Sequence, residues 1–402
     1  QFWIILLNLS VPDTGSPMKK RVFCCSAYLL LAAFILYAEP GGRVEKVTFH
    51  SPSLGIQKSF NIYLPEGYDE PLVRYPVVYI CRGGEDEWLV RTKIIALADS
   101  KIKNGEMGKM ILVFPGLTFE GNRMIGFPVN MNNIEPLGER EGLGTGRFED
   151  YFVKDLIPYV DDNYNTIPDR RGRGIDGFSG GAVTSILMGV KHPDLFLTVG
   201  AYDGPWGYLD FDDPSRTGQY DDSIWMHLDL FDPYFGNPRD LVHMKRYNST
   251  NVIRETTGAQ LETLQDLNFF IRSAGKNARS AFIEGTYYPR TVHLVEILNS
   301  KGIENYWKGD SLILAPDAEH EWPDAREHLG MTLPLHWKEF AARMKPALSL
   351  IRHHRRQHVA VFHGTGPQGI LRMGTRPPGV VSSHAHLLPV HIQENPVRFF
   401  QK

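Results

Sequence analysis

Cysteine is scarce in this 402-residue chain: three occur, and Cys24 and Cys25 stand side by side near the N-terminus. Cys81 is therefore alone in the body, and no internal disulfide is expected there. Its place in an apolar strand pattern suits a small buried side chain better than a nucleophile. A surplus of one charge sign is also missing. The net charge of −3 covers an asymmetry, since Lys345–Lys402 carries eight Lys and Arg against one acidic residue and the remainder is acidic. The body has no electrostatic reason to seek nucleic acid. There is no internal repeat. Seven of the fifteen histidines lie in the tail, including His353-His-Arg-Arg-Gln-His358, but their spacing is poor for metal ligands. No metal site or organic cofactor is expected.

Long apolar runs are confined to Val22–Ala38. This run follows Met18-Lys-Lys-Arg and ends in Leu36-Tyr-Ala38 before Glu39-Pro40, the pattern of a secretory signal peptide cleaved after Ala38. An uncleaved N-terminal anchor is the alternative. The expected division is an upstream translated segment at 1–17, a signal peptide at 18–38, one catalytic domain at 39–345, and a basic tail at 346–402 without regular structure. A secreted or periplasmic protein follows, with no membrane span once the signal is removed.

With 42% hydrophobic and 22% charged residues the body can bury a large core. Val44–His50 and Lys58–Leu64 read as an antiparallel hairpin. Tyr75–Cys81 and Met110–Phe114 are continuous apolar strands of the kind buried in a parallel sheet. The apolar spacing of Phe148–Tyr164 predicts an amphipathic helix. Strands at Leu195–Tyr202, Asn268–Ala274 and Ser311–Ala315 follow, with a helix at about 291–301. Such alternation predicts an α/β fold, a doubly wound and mostly parallel sheet preceded by the hairpin. Gly207–Leu267 interrupts the rhythm and is expected to form an insertion near the site entrance.

The most informative stretch is Gly174-Ile-Asp-Gly-Phe-Ser179-Gly-Gly-Ala182. It contains Gly-x-Ser-x-Gly between a short strand and a predicted helix at Ala182–Lys191, the context of a nucleophile elbow. A serine hydroxyl needs a base, and in this topology a histidine after the last strand supplies it. His320 fits, whereas His192 and His293 fall in helical patterns and His336 comes too late. An oxyanion hole needs two backbone N–H groups. Gly180, after the nucleophile, and Gly84, in the Gly-Gly loop after the first buried strand, are the candidates. Asp176 has a structural place in the turn. Trp88, Trp206 and Trp322 fall in loops at the sheet's upper edge and are candidates for a substrate pocket. Asn248-Ser-Thr250 matches a glycosylation acceptor pattern.

Six segments occur in one order: Asn61-Ile-Tyr-Leu-Pro-Glu-Gly-Tyr68, Tyr75-Pro-Val-Val-Tyr79, Phe148-Glu-Asp-Tyr-Phe-Val-Lys-Asp-Leu-Ile-Pro-Tyr159, Gly177–Ala182, His192-Pro-Asp-Leu-Phe196 and His320-Glu-Trp322. Together they resemble the esterase family of α/β-hydrolases that holds S-formylglutathione hydrolase, feruloyl and acetylxylan esterases, enterochelin esterase and antigen 85. The resemblance covers roughly 44–345. It implies an acyl-serine mechanism with Ser179 as nucleophile, His320 as base and oxyanion donors at Gly84 and Gly180.

Two departures stand out. Arg82 occupies the position where many relatives carry His. The segment after Gly275, where relatives carry the acid that orients the histidine, reads Lys-Asn-Ala278-Arg with no carboxylate. Asp203 is the first substitute and Glu284 the second; a site without an acid is the third possibility. The resulting expectation is an exported serine carboxylic-ester hydrolase (serine esterase) acting on a small-molecule or carbohydrate ester, such as an acylated polysaccharide. An acyltransferase of the same mechanism and a catalytically silent binding protein are the alternatives.

Overall fold

The computed structural model describes residues 41–120, 124–204, 229–275, 287–309 and 313–360. Strands β1 (Arg43–Ser51) and β2 (Ile56–Leu64) form the expected hairpin, in register from Arg43 against Leu64 to Ser51 against Ile56. They are followed by β3 (Val77–Cys81), β4 (Ile111–Pro115), the short pair β5 (Thr118–Phe119) and β6 (Met124–Ile125), β7 (Arg173–Gly177), β8 (Thr198–Tyr202), β9 (Asn268–Ala274) and β10 (Leu314–Ala315). Eight of these make one sheet in the order β1-β2-β4-β3-β7-β8-β9-β10. The hairpin joins β4 antiparallel, and every pairing from β4 to β10 is parallel.

The parallel strands are buried on both faces, as their unbroken apolar runs require. Within β3, Val77, Tyr79 and Cys81 enter one core while Val78 and Ile80 enter the other, the period-two alternation of a strand. Helices cover both sides. The ones used below are α1 (Glu87–Thr92), α2 (Ile94–Lys103), α3 (Gly180–Lys191), α4 (Tyr288–Ser300) and α5 (Trp322–Ala360). The predicted helix over 148–164 exists with a π-helical centre: α-helical Phe148–Asp150, π-helical Tyr151–Leu156, then α-helical Ile157–Asn163.

The part of the insertion that is described, after residue 228, is helical and turns inward. Tyr234 donates its hydroxyl to the Ile125 carbonyl at 2.5 Å, and the Phe127 ring meets those of Phe231 and Tyr234. One expectation is corrected. The tail does not lose regular structure at 346, because the backbone of α5 continues to Ala360. Pro346 removes a single N–H from a helix already formed ahead of it, and the Ala, Leu, Arg and Gln that follow are strong helix formers. Residues 361–402, the signal-peptide segment, Trp206 and Glu284 lie outside the described residues. Among those described, no helix is long and apolar enough to cross a membrane.

Candidate active site

The end of β7 turns directly into α3, and the turn is too tight for side chains on either side of Ser179. A Cβ on Gly177 would stand 2.2 Å from the Gly181 carbonyl oxygen, and one on Gly181 would stand 2.0 Å from that of Cys81. Only glycine fits at both positions. Ser179 itself has φ +58° and ψ −121°, a strained backbone for a non-glycine residue. The surroundings hold it there: its N–H donates to the Tyr202 carbonyl at 3.0 Å, and its own carbonyl accepts from Ala182 and Val183. The hydroxyl is thereby raised above the carboxyl ends of the strands, where open α/β sheets take their ligands.

His320 comes from the loop after β10. Tyr202 clamps that loop through its hydroxyl to the Glu319 carbonyl at 2.9 Å, and the Glu319 N–H reaches Asp324 at 3.1 Å. The imidazole lies against the ring of Phe178 at 4.7 Å and edge-on to Tyr287 at 5.0 Å. Its Nε2 is 2.9 Å from Ser179 Oγ and its Nδ1 is 2.6 Å from Asp203 Oδ2. Asp203, at the end of β8 with φ +54°, is 1% exposed. Its other oxygen accepts from Ser273 Oγ at 2.7 Å and from the Ala274 N–H at 3.0 Å. A carboxylate has no proton to give, so Nδ1 is the donor in this pair. Nε2 is then left as acceptor for the serine hydroxyl.

Of the two candidate acids, Asp203 is therefore the one within hydrogen-bond reach of His320 among the described residues. Asp176 does hold the turn: it accepts from the Gly177 N–H at 2.6 Å, from Thr332 at 2.6 Å and from His336 at 3.2 Å. His336 and Thr332 are buried on α5, behind the sheet. His192 closes the C-terminus of α3 and bonds Glu149 at 2.9 Å.

The oxyanion candidates separate. Gly180 is the first residue of α3, so its N–H has no partner within the helix. The Gly84 N–H is occupied: it donates to Glu87 Oε1 at 2.8 Å. The loop leads straight into α1, and Glu87 in its first turn reaches back to an upstream N–H in the manner of a capping residue. Gly84 is therefore corrected as an open donor.

Trp88 is corrected too. It is 2% exposed, its indole N–H donates to the Cys81 carbonyl at 3.2 Å, and it packs edge-on against Trp322 at 5.2 Å. A loop position was expected, but α1 begins one residue earlier and turns the indole into the core. Trp322 stays half-buried near the site, edge-on to Phe178 at 5.3 Å.

Other nearby groups were not put forward as site residues from the sequence. Ile125 and Phe127 line the ground above Gly180, each 3.2 Å from where its Cβ would stand. Arg82 lies over the rings of Phe178 and Trp322. Tyr202, next to Asp203 in the chain, was the readable one, because the strand that delivers the acid also delivers its neighbour. Among the described residues no cluster of His, Cys, Asp and Glu has the geometry of a metal site.

Fold and site define an α/β-hydrolase whose elbow carries a serine bonded to a histidine. Residues 51–232 match the family model described as "Putative esterase". The matched stretch includes Ser179 and Asp203 but ends before His320.

The chain is 31% identical over 176 residues to an endo-1,4-beta-xylanase/feruloyl esterase of Xylanibacter ruminicola, covering 42% of this chain and 21% of that protein. It is 30% identical over 181 residues to endo-1,4-beta-xylanase Y of Acetivibrio thermocellus, covering 42% and 15%. The chain thus spans about a fifth or less of these curated relatives. Among solved structures, a ferulic acid esterase superposes with a TM-score of 0.57 at 18% identity, over 75% of this chain and 99% of the other. An S-formylglutathione hydrolase from Agrobacterium tumefaciens superposes at 0.54 with 15% identity, over 75% and 97%. At such identities the superpositions establish the fold.

Proposed function

We propose that this chain is a serine esterase that cleaves carboxylic esters through an acyl-serine intermediate. The observation that carries the reading is the chain of contacts from Ser179 Oγ to His320 Nε2 at 2.9 Å and from His320 Nδ1 to Asp203 at 2.6 Å. In this reading His320 takes the hydroxyl proton as Ser179 Oγ attacks the carbonyl carbon, and Asp203 stabilises the imidazolium that forms. The proton then passes to the leaving alcohol. A water attacks the acyl-serine by the same route and frees the acid.

The Asp203 carboxylate 2.6 Å from Nδ1 weighs against a catalytically silent reading. The xylanase and feruloyl-esterase names of the relatives favour an ester of a plant-wall polysaccharide, and the Met18–Ala38 pattern favours export toward such a substrate. The test uses the chain from Glu39 with methyl ferulate, acetylated xylan and p-nitrophenyl acetate, beside Ser179→Ala. Release of ferulate or acetate by the parent and not by the variant supports the reading. Turnover of p-nitrophenyl acetate alone would move the substrate to another small ester, and a folded parent that hydrolyses none would refute it. Transfer of the acyl group to an added sugar alcohol in preference to water would make the enzyme an acyltransferase.

A further inference from the structure

If the esterase reading holds, a tetrahedral intermediate at Ser179 carries a full negative charge on oxygen, and that charge needs donors fixed in advance. The Gly180 N–H supplies one. The second backbone donor that the loop could offer, the Gly84 N–H, faces Glu87 Oε1 at 2.8 Å instead. A different group lies beside Gly180. Arg82 Nη1 is 3.7 Å from the position a Cβ on Gly180 would take, at the first turn of α3.

The guanidinium lies against two rings, its central carbon 5.4 Å from the Phe178 ring centroid and 5.6 Å from that of Trp322. Its Nε is buried and donates to nothing. The nearest carboxylate oxygen, Glu87 Oε2, is 3.9 Å from Nε, beyond hydrogen-bond distance. Burial lowers the Arg82 pKa from the ordinary arginine value against the opposing pull of Glu87, and arginine stays charged in proteins. The elbow therefore has beside it a partly buried cation whose Nε has no hydrogen-bond partner among the described residues. Structural arginines are usually forked onto a carboxylate or carbonyl, and among the described residues Arg82 makes no such hydrogen bond.

We propose that Arg82 is a catalytic residue of the ester reaction, its guanidinium donating to the oxyanion of the tetrahedral intermediate beside the Gly180 N–H. Attack forms the bond from Ser179 Oγ to the carbonyl carbon and moves the carbonyl π pair onto oxygen. The serine proton goes to His320 Nε2. Arg82 exchanges no proton and binds the oxygen more tightly as its charge grows. Collapse restores the C=O bond and expels the alkoxide, which takes the proton back from His320.

The test measures kcat and KM on p-nitrophenyl acetate for Arg82→Gln, Arg82→Lys and the double variant Arg82→Gln/Glu87→Ala. Affinity for benzeneboronic acid, whose serine adduct imitates the intermediate, is measured in parallel. Loss of one oxyanion donor costs about 10²–10³ in kcat. Arg82→Gln is expected to lose that much with KM held within about threefold, and boronate affinity is expected to fall alongside kcat. Arg82→Lys, a point charge without the fork, is expected to fall in between. Removing the Glu87 carboxylate frees the Gly84 N–H, so the double variant regains at least about tenfold over Arg82→Gln.

Arg82→Gln with kcat within about threefold of the parent, or with a loss confined to KM, overturns the proposal. If Arg82→Gln fails to fold by near-ultraviolet circular dichroism, Arg82→Lys decides, and unchanged kcat and boronate affinity there overturn it. A parent enzyme whose Ser179 does not react with a fluorophosphonate refutes the esterase reading itself. A reactive parent with an unimpaired Arg82→Gln refutes only the role of Arg82.

Discussion

Replacing Asp203 with Asn tests the proton chain at its least exposed point, and the structure dictates how the amide must sit. In the native protein one carboxylate oxygen accepts from Ser273 Oγ and the Ala274 N–H, and the other accepts from His320 Nδ1. An asparagine keeps its oxygen toward Ser273 and Ala274, because a backbone N–H cannot accept. Its NH₂ group then faces Nδ1 and donates to it. The imidazole is forced into the tautomer protonated at Nε2, which cannot take the proton of Ser179. The substitution thus removes the buried charge that stabilises the imidazolium and also locks the ring in the wrong state.

A loss of about 10⁴ in kcat is expected, or roughly 5.5 kcal/mol of transition-state stabilisation, with KM little changed. Asp203→Ala leaves Nδ1 free to choose its tautomer and is expected to lose no more than Asn does. Steady-state hydrolysis of p-nitrophenyl acetate by both variants, with folding checked by near-ultraviolet circular dichroism, measures this. A folded Asp203→Asn enzyme within about tenfold of the parent would refute the reasoning.

Further outcomes concern the scaffold. Gly181→Ala sets a methyl against the Cys81 carbonyl and is expected to destabilise the fold by at least about 3 kcal/mol, read from a urea midpoint. Trp88→Ala is expected to cost about 3–5 kcal/mol of stability while KM for p-nitrophenyl esters in the folded fraction stays within about twofold; a pocket residue would raise KM instead. Glu149 is pushed up by burial and pulled down further by the His192 hydrogen bond, the Lys191 charge and hydrogen bond, and the Tyr247 hydroxyl, so its pKa falls to about 2. A carboxylate depressed on folding stabilises the protein above its unfolded pKa and loses that contribution as pH falls through the folded value. Glu149→Gln is therefore expected to lower stability near neutral pH by up to about 3 kcal/mol, with the deficit shrinking as pH falls from about 4.5 toward 2. An equal deficit at every pH would contradict this.

Much of the site was legible because its chemistry is local. The elbow needs glycines at 177 and 181 for reasons of turn geometry, and the apolar runs of β3 and β4 need two covered faces. His320 was legible from its order after the last strand. Asp203 was readable only as the first of two substitutes, since its place beside His320 depends on β8 lying beside β7, a pairing no local pattern encodes. Trp88 and Gly84 misled for a shared reason. Both flank the point where the loop becomes α1, and the helix start decides which way the indole turns and where Glu87 reaches. Arg82 looked like a harmless departure from the histidine of related chains. The role proposed for it rests on the partners its Nε lacks among the described residues, which no local pattern encodes.

The most direct test of the account is the intact mass of the chain from Glu39 after treatment with a fluorophosphonate, beside that of Ser179→Ala. One phosphonyl adduct on the parent, mapped to the peptide holding Ser179, and none on the folded variant is the result the account predicts. An adduct on both proteins, or none on a folded parent, would contradict it.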